Sequence, residues 1–313
     1  MSGTETQTPP MALDIEEPTT PPSPVMYLNG KMGDVADAKL SVIDHGFLYG
    51  DGIFEGIRAY GGKVWKLDEH LDRLYKSAHV LLIEMPITKQ EMRQVVREAL
   101  RANGLRDAYI RVTVTRGTGL GLDPKHIQGA TVAIMPSKLS LYPQEMYDAG
   151  LDVITVSTRV ARPDSWEVRV KSTGKYLNNI MAKSEANRMG AGEGLMLNME
   201  GYVAEATGDN IFVISGNRIL TPPPSAGILE GITRMVTMDI ANTSGYRVIE
   251  QNMTLFDVYT ADEVFLTGTA AEMIPVRSVD GRTIGAGKPG PITKRLIEKF
   301  HARTKSEGVP IED

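Results

Sequence analysis

Lys171 is the residue of this sequence best suited to covalent catalysis, and the reason begins with what the chain lacks. Its 313 residues include no cysteine, which removes thiolate nucleophiles, Cys-bound zinc and iron–sulfur clusters together. No G-x-S-x-G elbow presents a serine. The five histidines, at 45, 70, 79, 126 and 301, lack metal-ligand spacing such as H-E-x-x-H, so no metal is expected. A covalent mechanism is therefore best sought at a lysine amine. Lys171 closes an alternating run, Glu167-Val-Arg-Val-Lys171, that reads as a strand end able to fix its stem. Ser172, Thr173 and Gly174 leave room beside the amine for a flat cofactor. Most lysines are solvated surface groups, so this local pattern needs support from the rest of the chain.

The conspicuous glycine cluster, Gly117-Thr-Gly-Leu-Gly-Leu-Asp-Pro124, does not hold a nucleotide by its spacing. A dinucleotide loop needs its third glycine one position later, and a Walker loop needs G-K-[ST]. It reads as a surface or interface loop.

Lys and Arg number 34 against 39 Asp and Glu, a formal charge of −5, so no basic footprint for nucleic acid or an acidic membrane is present. No apolar run approaches the roughly 20 residues of a membrane span, and the chain is expected to be cytoplasmic. Residues 1–25 hold six of the 18 prolines and little apolar content, which predicts a disordered arm. Four acids and no Lys or Arg in that arm argue against a targeting segment.

Residues 26–136 read as a small α/β domain. Strands are expected at VMYLNG, AKLSVIDHG, IFEGIRAY and KVWKL, with Gly61-Gly62 as a hairpin turn. A helix is predicted at 68–80. A second at 89–103 carries a capping box, Thr88 with Glu91, and an apolar stripe of Met92, Val95, Val96, Ala99 and Leu100. Residues 108–115 alternate, with Tyr109, Arg111 and Thr113 on the polar face. Residues 137–148 break the pattern as an interdomain loop, and 149–313 form a larger domain, with helices at 176–189, 232–242 and 291–303 among strands. Many antiparallel neighbours and no regular βαβ alternation make the class α+β.

Eight stretches in chain order then resemble one family. They are Tyr49-Gly-Asp-Gly-Ile-Phe-Glu-Gly-Ile-Arg58, Leu67-Asp-Glu-His-Leu-Asp-Arg-Leu74, Ala108-Tyr-Ile-Arg111, Val114-Thr-Arg-Gly117 with GLGLDP, Lys171 with Tyr176-Leu-Asn-Asn, Gly201-Tyr-Val-Ala-Glu-Ala-Thr-Gly-Asp-Asn-Ile-Phe212, Gly231-Ile-Thr-Arg234 and Phe265-Leu-Thr-Gly-Thr-Ala-Ala-Glu272. Together they resemble the fold type IV pyridoxal-phosphate enzymes, aminotransferases of class IV, and among them the branched-chain amino acid aminotransferases. That resemblance implies two α/β domains with the cofactor site between them, and transamination of valine, leucine and isoleucine with 2-oxoglutarate or glutamate in a ping-pong cycle.

The resemblance implies pyridoxal 5′-phosphate held by Lys171 as a Schiff base, with the lysine shuttling the proton at Cα. Glu205 matches the acid beside the pyridine nitrogen and Tyr176 the phenol on the 3′-oxygen. For the phosphate it implies Arg73, Thr269 and the helix start at Gly231, Ile232 and Thr233, where free N–H groups and the helix dipole favour an anion. Leu229 would line the approach.

Around the substrate it implies Tyr49, Phe54, Tyr109 and Arg111, backbone N–H groups at Thr269-Ala270 for the α-carboxylate, and Tyr142 as a lid. Two departures stand out: the interdomain loop lacks the family's Trp-Gly-Ala-Tyr, and Lys175 stands where the family often has Asn. The same fold also serves D-amino acid and (R)-amine transaminases and aminodeoxychorismate lyases, the alternative reading. Partners are expected to be small amino and 2-oxo acids and a second copy of the chain, as a homodimer or a multiple of it.

Overall fold

A computed structural model of the protein describes residues 24–138 and 142–312. The arm expected at 1–25 lies outside the described residues up to position 23, and Val25 opens the first strand rather than ending the arm.

In the first half, β1 (Val25–Leu28) and β2 (Lys31–Asp34) form a hairpin, followed by α1 (His45–Tyr49), β3 (Gly52–Tyr60) and β4 (Lys63–Val64). Helices α2 (Leu67–Val80) and α3 (Lys89–Ala102) come next, then β5 (Ala108–Thr115) and β6 (Thr131–Ser137). The Gly61-Gly62 turn joins β3 to β4 with both residues at positive φ, 56° and 89°, which suits a two-residue hairpin loop. In α3 the expected capping box of Thr88 and Glu91 is formed, and Met92, Val96, Ala99 and Leu100 are buried against the sheet.

Two strand expectations fail here. AKLSVIDHG runs into α1 instead, because the Asp44 carboxylate caps the Gly46 N–H at 2.8 Å and so starts a helix. KVWKL is a strand only at Lys63–Val64, since Lys66 adopts a left-handed φ of 49° that turns the chain into α2.

The second half contains α4 (Gln144–Ala149), β7 (Leu151–Thr155), α5 (Tyr176–Arg188), β8 (Glu193–Leu197), β9 (Val203–Ala206), β10 (Asn210–Ser215) and β11 (Arg218–Thr221). After these come α6 (Ile232–Thr243), β12 (Arg247–Glu250), α7 (Leu255–Tyr259), β13 (Glu263–Gly268), β14 (Glu272–Val279), β15 (Arg282–Thr283), α8 (Pro291–Ser306) and β16 (Val309–Pro310). One sheet has the order β16-β4-β3-β5-β6-β1-β2; the other is β12-β11-β10-β13-β14-β7-β8-β9 with β15 on β14.

The α+β class holds, with three local corrections. The interdomain loop at 137–148 contains most of α4. Strand β14 is not legible in the pattern, since Pro275 argues against a central strand; it is accommodated because pairing with β7 begins only at Val276. The chain end, β16, pairs with β4 and joins the first sheet instead of the second unit.

The run Glu167–Lys171 is irregular, not a strand. It is held from outside: the Phe54 N–H donates to the Lys171 carbonyl at 3.0 Å, and the Thr173 N–H to the Gly52 carbonyl at 2.8 Å. Gly50, at φ 67°, passes so close that a Cβ there would lie 2.8 Å from Gly174 Cα. The start of β3 thus docks on the lysine segment and fixes where its side chain begins. Among the described residues no helix is long and apolar enough to cross a membrane.

Asp44 ties α1 to the sheet. It is wholly buried, and its second oxygen accepts from the Thr115 and Thr131 hydroxyls at 2.8 and 2.9 Å. Asp44→Ala leaves those groups and the helix start unsatisfied, and we expect a loss of about 3 kcal/mol in urea unfolding, against less than about 1 for Asp68→Ala, whose half-buried carboxylate pairs only with Arg93 at the surface of α2.

Candidate active site

A pocket opens where α2 of the first half meets the second sheet and the start of α6. Its lining includes Arg73, Lys171, Tyr176, Glu205, Leu229, Gly231, Ile232, Thr233 and Thr269. These nine residues come from α2, the irregular lysine segment, α5, β9, the start of α6 and the turn after β13.

Lys171 stands in the middle. Its Nζ donates to the Tyr176 hydroxyl at 2.6 Å and lies 4.7 Å from the centre of the Phe54 ring. Burial, reinforced by the nearby Arg73 charge, pulls its pKa down to about 7, so a large share of the amine is unprotonated at neutral pH. Burial and the Glu205 charge hold the Tyr176 phenol above its ordinary pKa, so it remains a hydroxyl.

One end of the pocket is cationic. Helix α6 starts at Gly231 with no side chain capping its first N–H groups, and Thr233 adds a hydroxyl there. Arg73 is fixed beside it: Nε and one terminal nitrogen donate to the two oxygens of Glu55 at 2.7 and 2.8 Å, and the other terminal nitrogen reaches the Glu230 carbonyl at 2.8 Å. The same pocket holds an acid. Glu205 is buried on β9, where Oε2 accepts from the Leu229 N–H at 2.8 Å and Oε1 from Lys175 Nζ at 3.1 Å. Asn210 holds the Leu229 carbonyl at 2.9 Å, which fixes that loop from its other side.

Two buried polar atoms in the lining, Thr267 Oγ1 and Asn179 Oδ1, have no partner within the protein, as expected of groups kept for a polar ligand. Thr207, Asp209 and Asn210 also line it. Burial and the Glu193 charge push Asp209 up to about 7. Pyridoxal 5′-phosphate fits this donor set, with an anionic group toward Arg73 and α6, a ring oxygen toward Tyr176 and a basic ring nitrogen toward Glu205. Asn179 lies in the quoted Tyr176-Leu-Asn-Asn and Asp209-Asn210 in the quoted Gly-Asp-Asn stretch, but only their place in the pocket marks them as lining.

The residues expected around the substrate are less uniformly placed. Phe54 packs edge-on against Tyr176 at 4.7 Å, and the Arg111 guanidinium lies 3.5 Å over its ring while Nε donates to Thr113 Oγ1 at 3.2 Å. Tyr109 shares the Arg111 face of β5, and Gly56 makes room for it, since a Cβ there would lie 2.3 Å from the Tyr109 hydroxyl. The Ala270 carbonyl accepts from Arg58 at 3.3 Å. Tyr49, 48% exposed, points outward on α1 and is not in the lining. Tyr142 is no lid: it is 3% exposed in the core of the second sheet, and its hydroxyl donates to Glu193 at 3.2 Å.

Residues 52–279 match the family model of class IV amino-transferases. A Methanocaldococcus jannaschii protein named for branched-chain-amino-acid aminotransferase activity is 50% identical over 289 residues, covering 92% of this chain and 99% of that one. The solved branched-chain aminotransferase of Thermoproteus uzoniensis with norvaline is 36% identical, covers 93% of this chain and 100% of its own, and has a TM-score of 0.87. That of Thermobaculum terrenum, in its PLP-bound holo-form, is 28% identical, covers 90% and 94%, and scores 0.81.

Glu55 ties the site to stability. Burial alone would raise its pKa, but the Arg73 charge and the hydrogen bonds from Arg73 and His70 hold it at about 2 against an ordinary 4.5. A carboxylate lowered in the folded state contributes stability in full above its unfolded pKa and loses it as pH falls toward the folded value. We expect urea stability to fall between about pH 5 and 2, and Glu55→Gln to be less stable at pH 7 but with a shallower fall over that range.

Proposed function

Because this chain belongs to the class IV aminotransferases, and within them to the branched-chain amino acid aminotransferases, we propose that it moves the amino group of L-valine, L-leucine or L-isoleucine to 2-oxoglutarate in a ping-pong cycle at the Lys171 pocket. The observation that carries this reading is what one pocket brings together: the Arg73 cation with the uncapped α6 start, the Lys171–Tyr176 pair and the buried acid Glu205. Lys171 would hold pyridoxal 5′-phosphate through its amine, and the bound cofactor would supply an electron sink for the pair left at the substrate Cα.

The chain's own groups do the rest. Arg73, the N–H groups of Ile232 and Thr233 and the hydroxyls of Thr233 and Thr269 hold the phosphate. Tyr176 would orient the cofactor's 3′-oxygen, Leu229 would line its approach, and Glu205 would keep the ring nitrogen protonated. Lys171, its amine freed when the substrate's amino group displaces it, would take the proton from Cα and return it to the cofactor side. N–H groups of the Thr269-Ala270 turn receive the α-carboxylate.

One side-chain pocket must take both an aliphatic group and the γ-carboxylate of glutamate. Phe54 supplies an apolar wall, with Tyr109 and Arg111 at its polar corner. The stacking of Arg111 on Phe54 and its bond to Thr113 give the guanidinium a resting place when an aliphatic substrate leaves it without a carboxylate. Tyr49, Phe47, Leu120 and Leu122 are exposed apolar groups, a face suited to a second copy of the chain, across which Tyr49 would serve the partner's pocket.

Lys171→Ala is expected to bind cofactor without forming a borohydride-stable adduct, measured by mass spectrometry, while Lys175→Ala keeps the adduct; the reverse pattern would overturn the assignment. In single-turnover spectra Arg111→Met should slow the glutamate half-reaction by about 10- to 100-fold, the worth of one charge-assisted contact, and the valine half-reaction by less than about threefold. Faster reaction with D-alanine or an (R)-amine than with any L-branched donor would replace this reading by that of the D-amino acid or (R)-amine enzymes.

A further inference from the structure

Lys175 is a buried cation that the reaction above leaves without a role. Its side chain is 7% exposed and that of Glu205 6%, and the two meet at 3.1 Å. The ammonium also donates to the Val168 carbonyl at 3.1 Å, so it is held by the irregular segment before Lys171 as well as by the carboxylate. Lys175 directly precedes Tyr176, and the two neighbours engage different groups of the pocket: Tyr176 the Lys171 amine, Lys175 the acid.

Both oxygens of Glu205 are engaged, Oε2 by the Leu229 N–H and Oε1 by Lys175. Only the second partner carries a charge. A buried carboxylate with no cation at hand would draw strongly on any proton or positive group entering the pocket; one already paired draws less.

We propose that Lys175 is a positioning residue that sets the charge around the acid: its ammonium balances Glu205 and weakens the carboxylate's hold on a protonated ring nitrogen. This rests on the reading that Glu205 faces that nitrogen. An uncharged residue at 175 would leave the full carboxylate charge to the ring, so the protein with Lys175 releases the ring proton at lower pH.

The test compares dissociation constants for pyridoxal 5′-phosphate and its 1-deaza analogue, in which CH replaces the ring nitrogen, measured by fluorescence on full-length protein stripped of cofactor. The ratio of analogue to natural cofactor isolates the nitrogen, because effects on the phosphate end cancel. We expect Lys175→Met and Lys175→Asn to raise the ratio at least about tenfold, the scale of removing one nearby unit charge, and Lys175→Arg to leave it as in the unsubstituted protein. If Lys175→Met does not fold, Lys175→Asn, which keeps a donor toward Glu205, makes the same comparison. Glu205→Gln should bring the ratio close to one.

A ratio that collapses in Glu205→Gln yet is unmoved by Lys175→Met and Lys175→Asn overturns the role of Lys175 alone. A ratio indifferent to Glu205→Gln overturns the placement of the nitrogen at Glu205, and this inference with it.

Discussion

A carboxylate with no access to water, Glu55, is the constraint on which the pocket depends. A buried charge persists only when its oxygens are paired, and Glu55 accepts from Arg73 through both oxygens and from His70 through one. Satisfying it locks α2 onto β3 and leaves Arg73 one free direction, toward the Glu230 carbonyl just before α6. The cationic end of the pocket is therefore assembled from both halves of the chain by one carboxylate that never enters it.

The alternation of β3 explains how a structural and a chemical task fit in one strand. Ile53, Glu55 and Ile57 face α2 and α3, while Phe54, Gly56 and Arg58 face the other way, toward Lys171, Tyr109 and the Ala270 turn. The Phe54 N–H holds the Lys171 carbonyl. The lysine's position is thus inherited from a regular strand even though its own segment is irregular, and its amine rests over the ring of the same residue. Desolvation on that side, with Arg73 on the other, lowers its proton affinity.

Glu205 lies on a short, fully buried strand, clamped by the Leu229 N–H, and Asn210 in turn holds the Leu229 carbonyl. Cation, amine and acid are therefore brought into one pocket by elements tied to one another through Glu55, Leu229 and Glu230. On the substrate side Arg111 rests on Phe54 and bonds Thr113, and Tyr49 faces outward from α1.

Local pattern alone determined the elements whose cause is local. The α3 cap and stripe, the two-faced β5 and the glycine turn between β3 and β4 all follow from propensities and periods within a dozen residues, and the ordered stretches around Lys171, Glu205 and Gly231 pointed to the chemistry. What sequence could not supply were outcomes decided by partners distant along the chain. Glu167–Lys171 alternates like a strand, yet has no ladder neighbour and is held by Gly52 and Phe54 over a hundred positions away. Asp44 looks like part of a strand until the Thr115 and Thr131 hydroxyls close on it. Tyr142 could serve as a lid by position, but Glu193 and the second core take it inside. The pairings of Glu55 with Arg73 and of Glu205 with Lys175 are equally silent in sequence, because a charged residue shows its type there but not its burial. Burial decides whether a charge is a solvated ornament or part of a site, and only the packed tertiary structure sets it.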